Sequence, residues 1–453
     1  MIERQRLSEL NDAPEHAGDY VLYWMQQSQR AVFNPALETA IAAANRLGLP
    51  VLVAFALADP LPRAMARHYA FMLEGLAETA RQLRERDIGF VIRRGSPPEV
   101  ILRLAPRAAL IVCDRGYLRR QQHWRRAVAQ AAARRVLMVE GDVVVPAALA
   151  SGKTEIGART LRPKITRLRD AFLVPLRATR PRVRSPRVAL GGDVALDDIP
   201  GTLRTLRIDP RVGPVGSFHG GHGEARARLR DFVARRLDRY RAARALPGDP
   251  HVSTLSPYLH FGQISPVEVA LAARDAAAAE PERASFLEEL IVRRELAVNF
   301  VTTQPDYERY EALPQWARRS LALHARDPRE HLYDYEQLVA GRTHDPYWNA
   351  AMQEMRLTGY MHNYMRMYWG KKVLEWSPTP GEAHATLLRL NNTYFLDGRD
   401  ASSYANVGWV FGLHDRPWPR RAVFGNVRYM NAAGLKRKTD VEAYVRRWTG
   451  SAD

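Results

Sequence analysis

Residues 343–376, THDPYWNAAMQEMRLTGYMHNYMRMYWGKKVLEW, hold the side chains with the most chemical potential in this chain. Three are tryptophans: Trp348, Trp369 and Trp376. Thr343 or Asp345 can cap a helix that Pro346 opens and Thr358-Gly359 closes. A second helix is expected from about Met361 to Glu375, before Ser377-Pro378 breaks it. Trp369 and Trp376 then share a face, roughly 10 Å apart along the axis at about 1.5 Å per residue. Arg366 lies one turn before Trp369 on that face. A line of indoles can pass single electrons to a buried redox group. The same spacing also serves an ordinary aromatic core, and it does not place Trp348 relative to the other two.

The elements that would position these groups belong to a chain of 453 residues with 46% hydrophobic content, enough for two or three domains. Net charge is +18, nearly all of it arginine, which points to a polyanion such as nucleic acid, or simply to a basic protein. The one cysteine, Cys113, excludes an internal disulfide, a thiolate zinc site and a cysteine-held iron–sulfur cluster, and fits a reducing cytoplasm. No metal is expected. The N-terminus lacks an apolar signal core, and no apolar run reaches membrane-spanning length.

Short apolar runs at 20–24, 51–57, 88–92, 109–113 and 136–139 alternate with helical patterns, including one that Asn34-Pro35 caps and one over about 63–86. That alternation predicts a parallel, doubly wound sheet. No GxGxxG follows the first strand, so the usual dinucleotide site is unsupported; the strand ends near Trp24 and Asp114 are where a ligand could sit, and an empty scaffold fits equally. Residues 179–223 are rich in Arg, Pro and Gly and read as a linker wrapping the surface. Gly152-Lys153-Thr154 lacks the earlier glycine of a P-loop, and His219-Gly220-Gly221-His222-Gly223 reads as a flexible loop. From Glu224 the pattern is helical: one helix over 224–244, others over 266–279 and 285–300.

Several segments of this half then read together: 253–265 (STLSPYLHFGQIS), 288–296 (EELIVRREL), 343–376, 390–400 (LNNTYFLDGRD), 412–418 (GLHDRPW) and 423–431 (VFGNVRYMN). In order and spacing they resemble the photolyase/cryptochrome family, specifically the class II cyclobutane pyrimidine dimer photolyases, from about Tyr20 onward. The resemblance implies a Rossmann-like antenna-type α/β domain (15–178), the linker (179–223) and an all-helical FAD- and DNA-binding domain (224–450). It implies light-driven repair: an electron passes from photoexcited reduced FAD to a dimer flipped out of UV-damaged DNA, the ring splits, and the electron returns. The implied enzyme is a carbon–carbon lyase, monomeric and cytoplasmic. An 8-hydroxy-deazaflavin or methenyltetrahydrofolate antenna, or none, fits equally.

The resemblance also assigns residues. Ser253, Thr254, Leu255 and Ser256, with Tyr240 and Arg244, match the FAD phosphate side. Arg366 and Asp397 match the ion pair beside the flavin, Asn391 the nearby asparagine, and Asp400 a further cofactor residue. Glu289 matches the carboxyl that reaches the flipped bases, which as a proton donor would need a pKa raised by burial; Arg293 neighbours it on the DNA side. Trp409 matches the aromatic that packs on the dimer, and Arg416 and Trp418 the pair that fills the gap in the duplex. The relay would run from Trp369, nearest the flavin, through Trp348 to Trp376 at the surface. Tyr360-Met361-His362-Asn363 stands where Lys-Met-His-Gly is expected, so Asn363 adds an amide near the flavin, and Val298 stands where aspartate is expected.

A cryptochrome-like blue-light sensor would use the same flavin and relay. Against it, no long C-terminal effector tail is expected, and Glu289 and Trp409 are retained. A light-independent basic protein would lack flavin absorbance. Repair of (6–4) photoproducts ranks low, because no histidine pair can be placed beside the substrate.

Overall fold

A computed structural model describes residues 2–185, 193–248 and 251–450. Six strands form one sheet: β1 (Leu7–Glu9), β2 (Tyr20–Met25), β3 (Val51–Leu57), β4 (Gly89–Arg94), β5 (Ala108–Asp114) and β6 (Val136–Val139). Their order is β1-β6-β5-β2-β3-β4, parallel except where β1 pairs antiparallel with β6. Strands β2, β3 and β5 are buried along their whole length, as unbroken apolar runs covered on both faces must be. Helices α1 (Pro35–Leu47), α2 (Ala66–Glu85), α3 (Pro97–Leu104) and α4 (Arg119–Ala131) supply those covers. Asn34 caps α1 by accepting from Ala36 and Leu37 N–H, and Gly48 ends it at φ 68°.

The expected doubly wound sheet is present, with one addition. The short edge strand β1 escapes sequence reading because three residues carry no period. The 179–223 segment is not wholly irregular: it holds a helix, Ile199–Thr205. Residues 186–192 of it lie outside the described residues. The His219–Gly223 loop is pinned rather than flexible. Gly220 N–H donates to Glu74 and Gly221 N–H to Gln263, and a Cβ on Gly220 would lie 1.9 Å from the Phe71 carbonyl oxygen.

The second half is helical among the described residues, but two expected helices are broken. The 224–244 pattern is His222–Arg235, a 3₁₀ turn Leu237–Arg239, then Tyr240–Ala243. A straight helix would point Leu237 away from Phe232. The break buries Leu237 and sets Tyr240 5.8 Å from Phe232 and 5.3 Å from Phe286. The 285–300 pattern is interrupted by a π-helical segment, Glu288–Arg293, before α5 (Arg294–Thr303). A π turn re-aims the side chains on it and often marks a functional position; Glu289 and Arg293 both stand on this one. The 266–279 helix stops at Arg274. Helices α6 (Pro346–Thr358), α7 (Asn363–Glu375), α8 (Pro380–Tyr394) and α9 (Ala401–Val410) complete the site's frame. Asp345, not Thr343, caps α6, and Gly359 ends it in the left-handed region.

The halves share buried contacts. Arg30, fully buried, donates to the carbonyls of Gly262 and Gly141. Gly262, at φ 64°, allows that approach, since a Cβ there would lie 1.9 Å from the Gln27 carbonyl oxygen. Arg294 donates to the Asp142 carboxylate at 2.9 Å. Burial pushes Asp142 up to about 6 despite Arg294 and Arg30 beside it.

Candidate active site

The Arg366–Asp397 pair is bidentate, at 3.0 and 3.1 Å. Arg366 is held from three sides: Nε donates to the Met361 carbonyl, and the guanidinium lies 3.9 Å from the Phe395 ring centroid and 5.4 Å from that of Tyr360. The loop carrying Asp397 is pinned by the other half. Arg67 donates to the Tyr394 carbonyl at 2.7 Å, and a His68 ring nitrogen lies 2.9 Å from the Phe395 oxygen. Leu396 N–H donates to Gly359, where a Cβ would lie 2.7 Å from the Leu396 side chain. The pair thus stands on a rigid turn, as a half-buried ion pair requires if neither partner is to be left unmatched.

Asn391 belongs to the last turn of α8 rather than to the turn after it. Asn392 organises that turn: its side-chain oxygen accepts from Arg399 N–H and from the Asn391 amide. Asn391 is thereby held as a buried amide one helical turn before Phe395. Asn363 is exposed at the start of α7. Val298 is buried core.

Thr254 takes φ 53°, and its hydroxyl accepts from Arg228 at 3.3 Å. Leu255 is buried, while Ser253 and Thr254 are half-buried and Ser256 is exposed. Arg244 pairs with Glu289 at 2.7 Å, with its guanidinium 6.0 Å from the Tyr240 ring. Burial works against the Arg244 charge, but Glu289 outweighs it and raises the pKa. Glu289 is therefore ion-paired and a third exposed, not sealed in an apolar pocket. The expected burial of this carboxyl is not met, because the π turn aims it at Arg244. Arg293 is exposed and pairs with Glu288.

The three tryptophans form one stack. Trp348 lies between the others, 6.3 Å and nearly parallel to Trp369, and 5.8 Å from Trp376. Trp369 touches Phe395 at 6.0 Å, the ring on which Arg366 lies. Trp376 is not at the surface as expected: it is only 3% exposed. Tyr333 and His344 cover it, at 5.3 and 5.2 Å, and the Tyr333 hydroxyl lies 2.7 Å from His344 Nδ1.

On another face, Trp409 is half-buried, and Arg416 and Trp418 stand on the loop after α9. Two cations there had no sequence-based role. Lys371 is fully buried, donates to the Val410 carbonyl and lies 4.8 Å from the Trp409 ring. Burial pulls its pKa down to about 7 against the attraction of Asp415. Arg428 is bidentate to Asp415. Nothing in the sequence separated Lys371 from its neighbour Lys372, and the structure buries both. Nothing in the sequence singled out Arg428.

The strand ends open onto an interdomain cavity of about 790 Å³. Trp24 and Asp114 do not line it. Trp24 is core, and Asp114 is buried accepting from the N–H groups of Gln26, Gln27 and Ser28 and from the Tyr23 hydroxyl. Gln26, Gln27 and Tyr117, just beyond those strands, line it instead, with Asn392 and Asp400 from the helical half. Asp400 faces His260 at 3.8 Å; burial pushes its carboxyl up, but His260 and Arg294 outweigh that and bring it to about 2.

Two sequence families match this chain: DNA photolyase over residues 21–182, and FAD binding domain of DNA photolyase over 286–451. A deoxyribodipyrimidine photo-lyase of Methanothermobacter thermautotrophicus is 46% identical over 454 residues, covering 100% of both chains. One from Arabidopsis thaliana is 40% identical over 94% of this chain and 88% of its own. A bacterial class III photolyase from Agrobacterium tumefaciens shares the fold, with TM-score 0.70 at 20% identity over 97% of this chain and 88% of that one. The chain belongs to the DNA photolyase family.

The residues present fit an FAD. The Trp369 indole N–H is buried without a hydrogen-bond partner among the described residues. An orphan donor of that kind is costly unless something binds there. It stands beside a fixed ion pair and a buried amide, the polar set a redox ring needs.

Proposed function

We propose that this protein is a class II deoxyribodipyrimidine photo-lyase that repairs cyclobutane pyrimidine dimers in UV-damaged DNA. The observation that carries the reading is the continuity of Trp376, Trp348 and Trp369 with Phe395 and the Arg366–Asp397 pair. Bound, reduced FAD supplies the light-driven electron that opens the cyclobutane ring and takes it back afterwards. Arg366 and Asp397 hold the flavin edge, with the guanidinium favouring negative charge there. Asn391 offers an amide that can donate or accept. Ser253, Thr254, Leu255 and Ser256, with Tyr240 and Arg244, hold the phosphates; Arg244 can exchange Glu289 for a phosphate oxygen. Glu289, so released, reaches the flipped bases. Trp409 stacks on the dimer, and Arg416 and Trp418 enter the gap left in the duplex. Arg293 meets the DNA backbone beside them. Asn363 and Asp400 serve the cofactor from either side of the turn.

In this reading residues 15–178 are the antenna-type domain, 179–223 the linker and 224–450 the FAD- and DNA-binding domain. The interdomain cavity is the place for an antenna pigment, 8-hydroxy-deazaflavin or methenyltetrahydrofolate. The protein works as a cytoplasmic monomer on DNA. Its excess of arginine and its single, buried cysteine support that setting. The test is splitting of a dimer in an oligonucleotide under blue light by the reduced protein. Dimer loss only in the light is expected; no loss in a flavin-loaded, reduced sample would remove the repair reading.

A further inference from the structure

The face that carries Trp409 and Trp418 is built as a ladder. Starting inside, Lys371 lies 4.8 Å from the Trp409 ring centroid, and the Arg428 guanidinium lies 5.5 Å from the same ring. Arg428 also lies 4.2 Å from the Trp418 ring, and Arg416 lies 5.5 Å from that ring. Cations and indoles therefore alternate from the core to the surface. Asp415 fixes the ladder in register. It accepts from Arg428 twice, at 2.8 and 3.0 Å, from Arg416 N–H at 2.9 Å and from the Trp418 indole at 3.5 Å. Trp418 is further clamped by Asn426, through its N–H and its carbonyl.

We infer that Arg428 is a positioning residue that joins Trp409 and Trp418 into one recognition unit for a damaged, unpaired stretch of duplex. The inference rests on the roles proposed above for those two indoles. Two hydrogen bonds to Asp415 tie Arg428 to the protein more firmly than a single contact would. Its guanidinium thereby lies near two rings at once, which a lysine's point charge cannot reproduce. Trp409 would meet the flipped bases and Trp418 the space they leave, and both events happen in one binding step. A rigid spacer between the two rings makes them pre-set for each other, so only DNA that offers both features gains the full contact. Lys371, beneath Trp409, holds the last turn of α9 through the Val410 carbonyl and completes the seat of that ring.

The test is dark binding of the full-length, flavin-loaded protein to two duplexes of one sequence, with and without a single cyclobutane dimer. Arg428→Met is expected to weaken binding to the dimer duplex by about tenfold, the order of losing two partly desolvated cation–π contacts, and to weaken binding to the undamaged duplex by less, through the one positive charge lost. Arg428→Lys should recover little of that loss. A double-mutant cycle makes the claim specific. Trp409→Leu and Trp418→Leu should be coupled in the wild-type background and independent when Arg428 is Met. An equal loss on both duplexes, or coupling that survives Arg428→Met, overturns the inference while leaving the repair reading standing. If Arg428→Met loses flavin or melts early, Arg428→Lys and Arg428→Gln carry the same cycle. Wild-type protein with no preference for the dimer duplex would sink the repair reading itself, and this inference with it.

Discussion

Two groups of tryptophans in this molecule use one side chain in opposite ways. Trp369, Trp348 and Trp376 meet ring to ring, with their faces against other aromatics. At its two ends Lys372, 5.7 Å from Trp376, is paired with Glu375 at 2.7 Å, and Arg366 is paired with Asp397 at 3.0 Å. Trp409 and Trp418 instead alternate with Lys371, Arg428 and Arg416. Asp415 matches Arg428, so the excess charge of the ladder rests on Arg416 and Lys371; a unit charge about 5 Å away opposes a second positive charge by on the order of 3 kcal/mol at an effective dielectric of 20. The ladder is therefore a poor place for an electron vacancy and a good one for binding an anionic, stacked polymer. The neutral stack is the reverse. On the proposed function, the neighbours of an indole decide whether it suits an electron path or a docking surface, and Lys371 and Lys372, adjacent in sequence, stand beside different groups.

The strongest way to break this contrast is to cut the stack. Trp369→Phe should slow light-driven reduction of oxidised flavin on the order of a hundredfold, about 3 kcal/mol of barrier, while chemically reduced protein still repairs dimers. Equal loss of both activities would deny the stack a separate role. Trp409→Leu should do the converse. It should lower dimer-duplex affinity by about 1–3 kcal/mol per lost base stack and leave flavin photoreduction untouched, as read by titration and by absorbance on one sample.

Asp397→Asn tests the end of the stack that faces the cofactor. It leaves the Arg366 charge half-matched and should cost about 2 kcal/mol in denaturant unfolding, together with weaker flavin retention. Retention and stability equal to wild type would remove the ion pair from the site. Salt sharpens the contrast from the ladder's side. Dimer-duplex affinity should fall steeply with added salt as the entropy gained by releasing counterions shrinks, while photoreduction stays flat. A flat binding response would argue against a basic DNA face.

A last prediction lies outside both groups. Burial raises Glu295 from 4.5 to about 8, although its carboxyl accepts from the N–H groups of Val144 and Val145. The folded protein then holds a proton that the unfolded chain releases, so stability falls as pH rises from about 4.5 to about 8. Glu295→Gln keeps the acceptor and removes the titration. Melting curves of the two proteins should diverge across that window, with the variant favoured at the alkaline end; parallel curves would refute the assignment.

What the sequence made legible was what repeats or what spells a motif. Fully apolar strand runs such as VLVAFAL, the Asn34 and Asp345 caps, and Gly48 and Gly359 as stops all act within a few residues, so local chemistry decided them. Spacing put Trp369, Trp376 and Arg366 on one face, but Asp397 and the place of Trp348 were legible only through ordered resemblance, because they meet the others across α6, α7 and the turn after α8. What escaped reading was non-local. The π turn under Glu289 adds a residue without changing the helical pattern. The break at Arg236 answers to Phe232, Tyr240 and Phe286 closing on one another. Trp376 lost its place at the surface to Tyr333 and His344, which come from a segment with no periodic link to it. Lys371 and Arg428 acquire meaning only once α7, α9 and the 415–428 loop are side by side.

The most direct measurement is the absorption spectrum of the purified wild-type protein before and after blue light in the presence of a reductant. Flavin bands that bleach on illumination are predicted, because Trp369, Trp348 and Trp376 run in contact from the proposed flavin site to Tyr333. Flavin that stays oxidised in the light, or protein that remains colourless after reconstitution with FAD, would contradict the account at its centre.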